Sequence, residues 1–302
     1  MATIKLYDNT GFGEQISFIP ALKALKKNHH DVVSESPLFN KLTPYLLSEY
    51  KTILYNYGIV LNNQDIKTAH KAKSECKKVI GFPYNIKLFG NRKIPILSSM
   101  FYSKNLKYNP NKHKIVNYMN LISLLTTKKT KIEYRLDNIE TTPKQDLIGI
   151  APDSGNKNYK PWLNWPKLIN ELPDNKSIIL FGQDRIFINQ IKSRIKEKKV
   201  ITVNSQDIDR IIEALKNCEI VISADNFYLN LSDILKIPLL ALFGMTSIKE
   251  NAPISKSSEI FSLNLKCSPC YRNEKVNCIY GMNNKCMNFP IKAILDKLKE
   301  IN

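Results

Sequence analysis

The chain has 302 residues, enough for two domains with cores of their own. Its 43% hydrophobic and 24% charged content matches a globular protein, and the longest apolar run, Ile237 to Met245, holds nine residues. A span of the bilayer needs roughly 20, so no membrane helix is predicted. The net charge of +18, from 45 Lys plus Arg against 27 acids, favours acidic partners: phosphosugars, anionic lipid headgroups or nucleic acid. The excess is dispersed in short clusters such as Lys26-Lys27 and Lys128-Lys129, without the interleaved aromatics that stack bases, which argues against nucleic acid. The opening MATIKLYDN lacks an apolar signal core and predicts a cytoplasmic location.

Thr3 to Tyr7 reads as a first strand. The turn Asp8 to Glu14 follows, and Ile16, Ile19, Leu22 and Leu25 mark one face of a helix. Ser17 is placed as the cap of that helix, which puts Pro20 in the first turn, where proline is tolerated. Val32 to Ser34 is the next strand, so the chain opens with a βαβ unit. Thr10, Gly11 and Gly13 make its turn a candidate phosphate loop, although the third glycine of the dinucleotide fingerprint is missing. Further on the pattern predicts short strands at Thr52–Tyr55, Ile59–Leu61 and Val79–Ile80, then a surface excursion from Asn85 to Asn111. Ile115, Tyr118, Met119, Ile122 and Leu125 predict a helix over Lys114–Leu125. The polar stretch Leu136 to Gln145, with Pro143, is the linker, giving domains of 1–142 and 143–302.

The second half restarts the rhythm. Leu147–Ala151 is a strand ending in Pro152-Asp153-Ser154-Gly155, and a segment containing Lys160, Trp162 and Trp165 follows. Ser177–Phe181 and Val200–Val203 are strands, and Arg185–Ile195 and Ile208–Leu215 are helices. From Glu219 the sequence is most regular. A buried strand at Ile220–Ile222 leads through Ser223-Ala224-Asp225-Asn226 to a helical face of Leu229, Leu231, Ile234 and Leu235. Pro238 closes that helix, and a second buried run, Leu239–Phe243, ends at Gly244. Unbroken apolar strands joined by a helix predict a parallel sheet covered on both faces. Ligands of such sheets sit beyond the carboxyl ends of the strands, so the Ser223–Leu229 turn is a candidate phosphate site. An ordinary strand–helix connection gives the same pattern. The predicted fold class is α/β, with two Rossmann-like domains facing each other across a cleft.

Of six cysteines, Cys76 and Cys218 stand alone and are assigned to the core. Cys267, Cys270, Cys278 and Cys286 follow a C-x2-C-x7-C-x7-C spacing. Four thiolates so close suit a tetrahedral Zn or Fe site of structural role, with reduced thiols or paired disulfides as the alternatives.

Taken in order, several stretches resemble the ADP-heptose glycosyltransferases of glycosyltransferase family nine: GFGEQISFIPALKAL, Lys160-Pro161-Trp162, ADNFYLN followed by IPLLALFG, then Cys267-Ser268-Pro269-Cys270 and Cys286-Met287. The resemblance implies a GT-B fold and inverting transfer of heptose from ADP-heptose, with no cofactor required for catalysis. Glu14 matches the family's catalytic acid, usually aspartate, and Lys160 its phosphate-binding lysine. Asp184 matches an acid that binds the ribose hydroxyls. Asp225 keeps the first position of the D-[ST]-G-x-x-H loop, whereas Asn226, Phe227 and Asn230 depart from it. Trp162 and Trp165 are expected to be packing anchors. The implied acceptor is a lipopolysaccharide-core or other lipid-linked saccharide at the inner face of a membrane. A protein acceptor, or a binding module without turnover, is the alternative.

Overall fold

The computed structural model describes residues 1–7, 11–48, 54–61, 66–82, 86–87, 93–94, 102–127, 131–137, 139–153, 161–204, 206–270, 278 and 285–301. The chain divides into two compact units, Met1–Leu136 and Asp137–Asn302.

In the first unit the described elements run β1 (Thr3–Tyr7), α1 (Phe12–Lys27), β2 (Asp31–Ser34), α2 (Pro37–Leu42), β3 (Tyr55–Val60), α3 (Ile66–Glu75), β4 (Cys76–Gly81), β5 (Ile86–Lys87), β6 (Lys93–Ile94), β7 (Lys104–Asn105) and α4 (Lys114–Ile122). Five strands form a sheet in the order β2-β1-β3-β4-β7, every pair parallel. The order reverses between β1 and β3, the position at which open parallel sheets bind ligands. Ile16, Ile19, Leu22 and Leu25, read as one helical face, are all 0% exposed. Burying each is worth about 1.5–3 kcal/mol.

Ser17 does not cap α1: the helix begins at Phe12 with Gly11 as N-cap, and the Ser17 hydroxyl donates to the Gly13 carbonyl at 2.9 Å. Pro20 therefore lies inside the helix, where its missing N–H costs one backbone bond. Burial of the helix from Gln15 to Leu25 outweighs that loss. Of the strands expected at Thr52–Tyr55 and Ile59–Leu61, Thr52 and Ile53 lie outside the described residues, and Tyr55–Val60 forms one strand, β3, that pairs on both edges through Gly58 with Lys5 and Val79. Helix α3 gave no apolar signal because lysines at 67, 71 and 73 surround its small buried residues, Ala69 and Ala72.

The second unit runs β8 (Lys144–Ala151), α5 (Trp165–Glu171), β9 (Ser177–Phe181), α6 (Arg185–Lys192), β10 (Val200–Val203), α7 (Ile208–Lys216), β11 (Cys218–Ala224), α8 (Phe227–Ile234), β12 (Leu239–Phe243), α9 (Ile248–Asn251), β13 (Ser258–Ser262) and α10 (Ile291–Ile301). Its six parallel strands are ordered β10-β9-β8-β11-β12-β13, the nucleotide-binding arrangement in which the order reverses between β8 and β11. The core on one side gathers Ile148, Ile150, Ile220, Ile222, Leu240 and Leu242. Trp162 and Trp165, 3% and 1% exposed, cross edge-to-face at 5.0 Å, and Phe289 joins them at 5.7 Å from Trp162. Both tryptophans are packing anchors, as the sequence suggested. Among the described residues no helix is long and apolar enough to cross a membrane.

Candidate functional site

In the first unit the switch point is occupied by the start of α1. Gly11 is its exposed N-cap with φ −67°, and its carbonyl accepts from the Glu14 amide at 3.0 Å. Among the described residues a Cβ at Gly11 would meet nothing within 4 Å, so none of them demands glycine at that position. Gly13 and Glu14 are half-buried in the first helical turn, where an acid is favoured by the helix dipole. Thr10 lies outside the described residues. Glu14 is held from a distant element: the Tyr118 hydroxyl donates to Oε2 at 2.5 Å, and the Lys114 ammonium faces Oε1 at 3.8 Å. Both partners project from α4 and are buried, 3% and 4% exposed. The sequence placed Tyr118 on an apolar helical face; nothing local links it to an acid 104 residues away.

In the second unit the loops after β8 and β11 meet at the other switch point, and Asn226 joins them. Its side-chain amide donates to the carbonyls of Ala151 at 3.0 Å and Asp153 at 2.6 Å. Its Oδ1 accepts from the Leu229 amide at 3.1 Å, capping α8. Asn230 donates back to the Asn226 carbonyl at 3.0 Å and is 6% exposed. Asp225 accepts from the Asn251 side chain at 2.9 Å. Phe227 opens α8 with its ring edge-to-face on Tyr228 at 5.3 Å. The Tyr228 hydroxyl is buried with no hydrogen-bond partner among the described residues; burial, reinforced by the charge of Asp153, pushes its pKa up to about 12.

Asp153, which the sequence reading left without a role, is the hinge of the neighbouring turn. Its Oδ2 accepts from the amides of Gln183 and Asp184 at 3.3 and 3.1 Å. Asp184 in turn caps α6, accepting from the Phe187 amide at 3.0 Å, and is exposed. Beside these loops opens a pocket walled by Trp162, Trp165, Leu242, Met245, Met287 and Phe289, with Asp225 and Thr246 among its polar lining. Lys160 lies outside the described residues.

The cysteine segment buttresses that pocket. Gly244 closes β12 so tightly against it that a Cβ would come within 2.2 Å of the Met287 sulfur. The Ser268 hydroxyl donates to the Gly244 carbonyl at 2.5 Å and the Cys270 amide to the Met245 carbonyl at 3.1 Å. No cysteine is in a disulfide, and Cys76 and Cys218 are buried as expected. Burial pushes Cys286 up to about 11, helped by the neighbouring Cys270, Cys267 and Cys278, and Cys270 is raised by burial and then by Cys267 and Cys278. Cys270 and Cys286 thus feel the charge of the neighbouring thiols. Among the described residues, however, no group of three Cys, His, Asp or Glu converges to hold an ion.

Two open parallel sheets, each with polar side chains at its switch point, define an α/β protein of the GT-B class. The chain belongs to glycosyltransferase family 9 (heptosyltransferase), whose model matches residues 51–280. It is therefore a glycosyltransferase. A lipooligosaccharide heptosyltransferase 2 of Campylobacter jejuni is 21% identical over 318 residues, covering 97% of each chain. A family 9 glycosyl transferase from Veillonella parvula shares the fold with a TM-score of 0.74 at 15% identity, over 99% of this chain and 97% of that one. The E. coli heptosyltransferase WaaC, solved with ADP, shares it with a TM-score of 0.68 at 13% identity over 100% of both chains.

Proposed function

We propose that this glycosyltransferase is an inverting heptosyltransferase that takes its sugar from ADP-heptose and delivers it to a hydroxyl of a lipooligosaccharide core. The observation that carries this reading is the second unit's switch point. There Asp225 lines an aromatic pocket beside an amide bridge and a capped helix, and Asp153 and Asp184 sit together on the neighbouring turn, a setting suited to a nucleotide and a polyhydroxylated sugar. Asp184 is assigned to the ribose hydroxyls and Asp225 to the sugar. The α8 first turn and Lys160 are assigned to the diphosphate. Thr10, Gly11 and Gly13 are also assigned to donor binding.

Glu14 is assigned as general base. It takes the proton of the acceptor hydroxyl as that oxygen attacks the anomeric carbon. The bond from that carbon to the β-phosphate oxygen breaks, and ADP leaves with the electron pair. The high positive charge suits a phosphorylated, lipid-linked acceptor and contact with an anionic membrane surface in the cytoplasm. Thermal unfolding tests the donor assignment: ADP is expected to raise Tm with UDP and GDP weaker, and equal shifts for all three contradict it.

The four thiols at 267, 270, 278 and 286 are further proposed to hold one structural Zn or Fe ion, supported by their C-x2-C-x7-C-x7-C spacing. An ion would draw them together and stiffen the pocket wall at Met245 and Met287. Elemental analysis is expected to find about one such ion per chain, lost in Cys286→Ser together with ADP affinity. Metal-free protein of undiminished ADP affinity contradicts it.

A further inference from the structure

Glu14 is 41% exposed in its side chain and carries one more rotatable bond than aspartate. A free glutamate in that position samples several rotamers, few of which aim an oxygen at an incoming hydroxyl. Here both oxygens are engaged from α4. Oε2 accepts the Tyr118 proton at 2.5 Å, and Oε1 faces the Lys114 ammonium at 3.8 Å.

Neither partner is a chance surface contact. The Tyr118 ring is wedged edge-to-face against Phe18 at 5.4 Å and beside Phe82 at 6.1 Å, which fixes where its hydroxyl points. Lys114 is 4% exposed, an unusual place for an ammonium that has no carboxylate to meet. The start of α4 is pinned in its turn. His113 caps it by accepting from Ile115 at 3.2 Å, and Asn117 exchanges hydrogen bonds with the Asn109 backbone at 3.0 Å in both directions.

We infer that Tyr118 and Lys114 are positioning residues which hold the Glu14 carboxylate in its reactive orientation. The clamp rests on the assignment of Glu14 as base. It also accounts for glutamate standing where the family pattern has aspartate: the longer side chain is the one that reaches the phenol. Shortening it by one methylene withdraws the carboxylate by over an ångström, beyond the 2.5–3.0 Å of an O–H···O bond.

The test is steady-state kinetics of the full chain with ADP-heptose and heptose-deficient lipooligosaccharide, comparing wild type with Tyr118→Phe, Lys114→Met, Glu14→Asp and Glu14→Gln. Phenylalanine keeps the ring packing, so Tyr118→Phe is expected to fold with an unchanged Tm. Its kcat is expected to fall about ten- to a hundredfold with KM for both substrates held within about twofold, because misaiming a base is felt only in the chemical step. Lys114→Met behaves alike, and Glu14→Asp loses activity despite restoring the family's residue. If Glu14→Gln abolishes turnover while Tyr118→Phe and Lys114→Met keep wild-type kcat, the clamp is wrong and the base assignment stands. If Glu14→Gln itself turns over normally, the base assignment falls and the clamp with it.

Discussion

Asn226 shows how much one side chain carries at the donor loop. The family pattern has Ser or Thr there, which caps a helix equally well through a hydroxyl. Asparagine adds a second function, because its amide nitrogen reaches the carbonyls of Ala151 and Asp153 across the switch point while its oxygen caps α8. Asn226→Ala is expected to cost about 2–4 kcal/mol in urea unfolding, the cap together with carbonyls left unpaired. Asn226→Asp is no rescue, since it keeps the cap but turns a carboxylate oxygen toward those carbonyls. A loss below about 0.5 kcal/mol, the range of an ordinary surface substitution, contradicts this role. The sequence marked residues 226, 227 and 230 as departures without saying what they do. Contacts made 73 to 75 residues away supply the reason for Asn226, and Asn230 extends it by bonding the Asn226 carbonyl. For Phe227 replacing glycine the structure offers the ring contact with Tyr228 and no further account.

At the scale of elements, strands buried on both faces were legible from short unbroken apolar runs: β11 contains Ile220–Ile222 and β12 is Leu239–Phe243. The edge strand β13, half-buried at all five positions, has no alternation to read. β1 hides a different feature, a lysine inside its apolar run. The Lys5 ammonium, in a side chain 9% exposed, meets Glu75 at 2.7 Å and Glu35 at 2.8 Å, and Tyr7 also donates to Glu75 at 2.7 Å, tying β1 to α3. Burial works against the charge on Lys5, but hydrogen bonds to Glu35 and Glu75 and their charges hold its pKa above 10.5. The Lys5 hydrogen bond, outweighing partial burial, holds Glu35 below the usual carboxylate value of 4.5. At Glu75 burial pushes upward, and bonds from Lys5 and Tyr7 outweigh it, so its pKa is lowered too.

The lowered carboxylates contribute stability above about pH 4.5 and lose it as pH falls through their folded values. The raised lysine contributes below about pH 10.5 and loses it as pH rises through its folded value. Lys5→Met is therefore expected to lower Tm at about pH 7 and to differ much less from wild type at about pH 3. An equal difference at both contradicts the linkage.

Across the whole molecule, the strand–helix rhythm announced two α/β units, and each candidate site falls where its sheet reverses order, between β1 and β3 or between β8 and β11. That much follows from periodicity and turns, which are local in sequence. What supports each site is not local: α4 reaches Glu14 from 104 residues away, and the cysteine segment meets the end of β12 through Gly244. Mass spectrometry of heptose-deficient lipooligosaccharide incubated with ADP-heptose and the full chain shows whether heptose is transferred and whether Glu14 is needed for it. Wild type is expected to add one heptose and release ADP, and Glu14→Gln to add none. An acceptor unchanged by wild type, or modified equally by both proteins, contradicts Glu14-dependent heptose transfer.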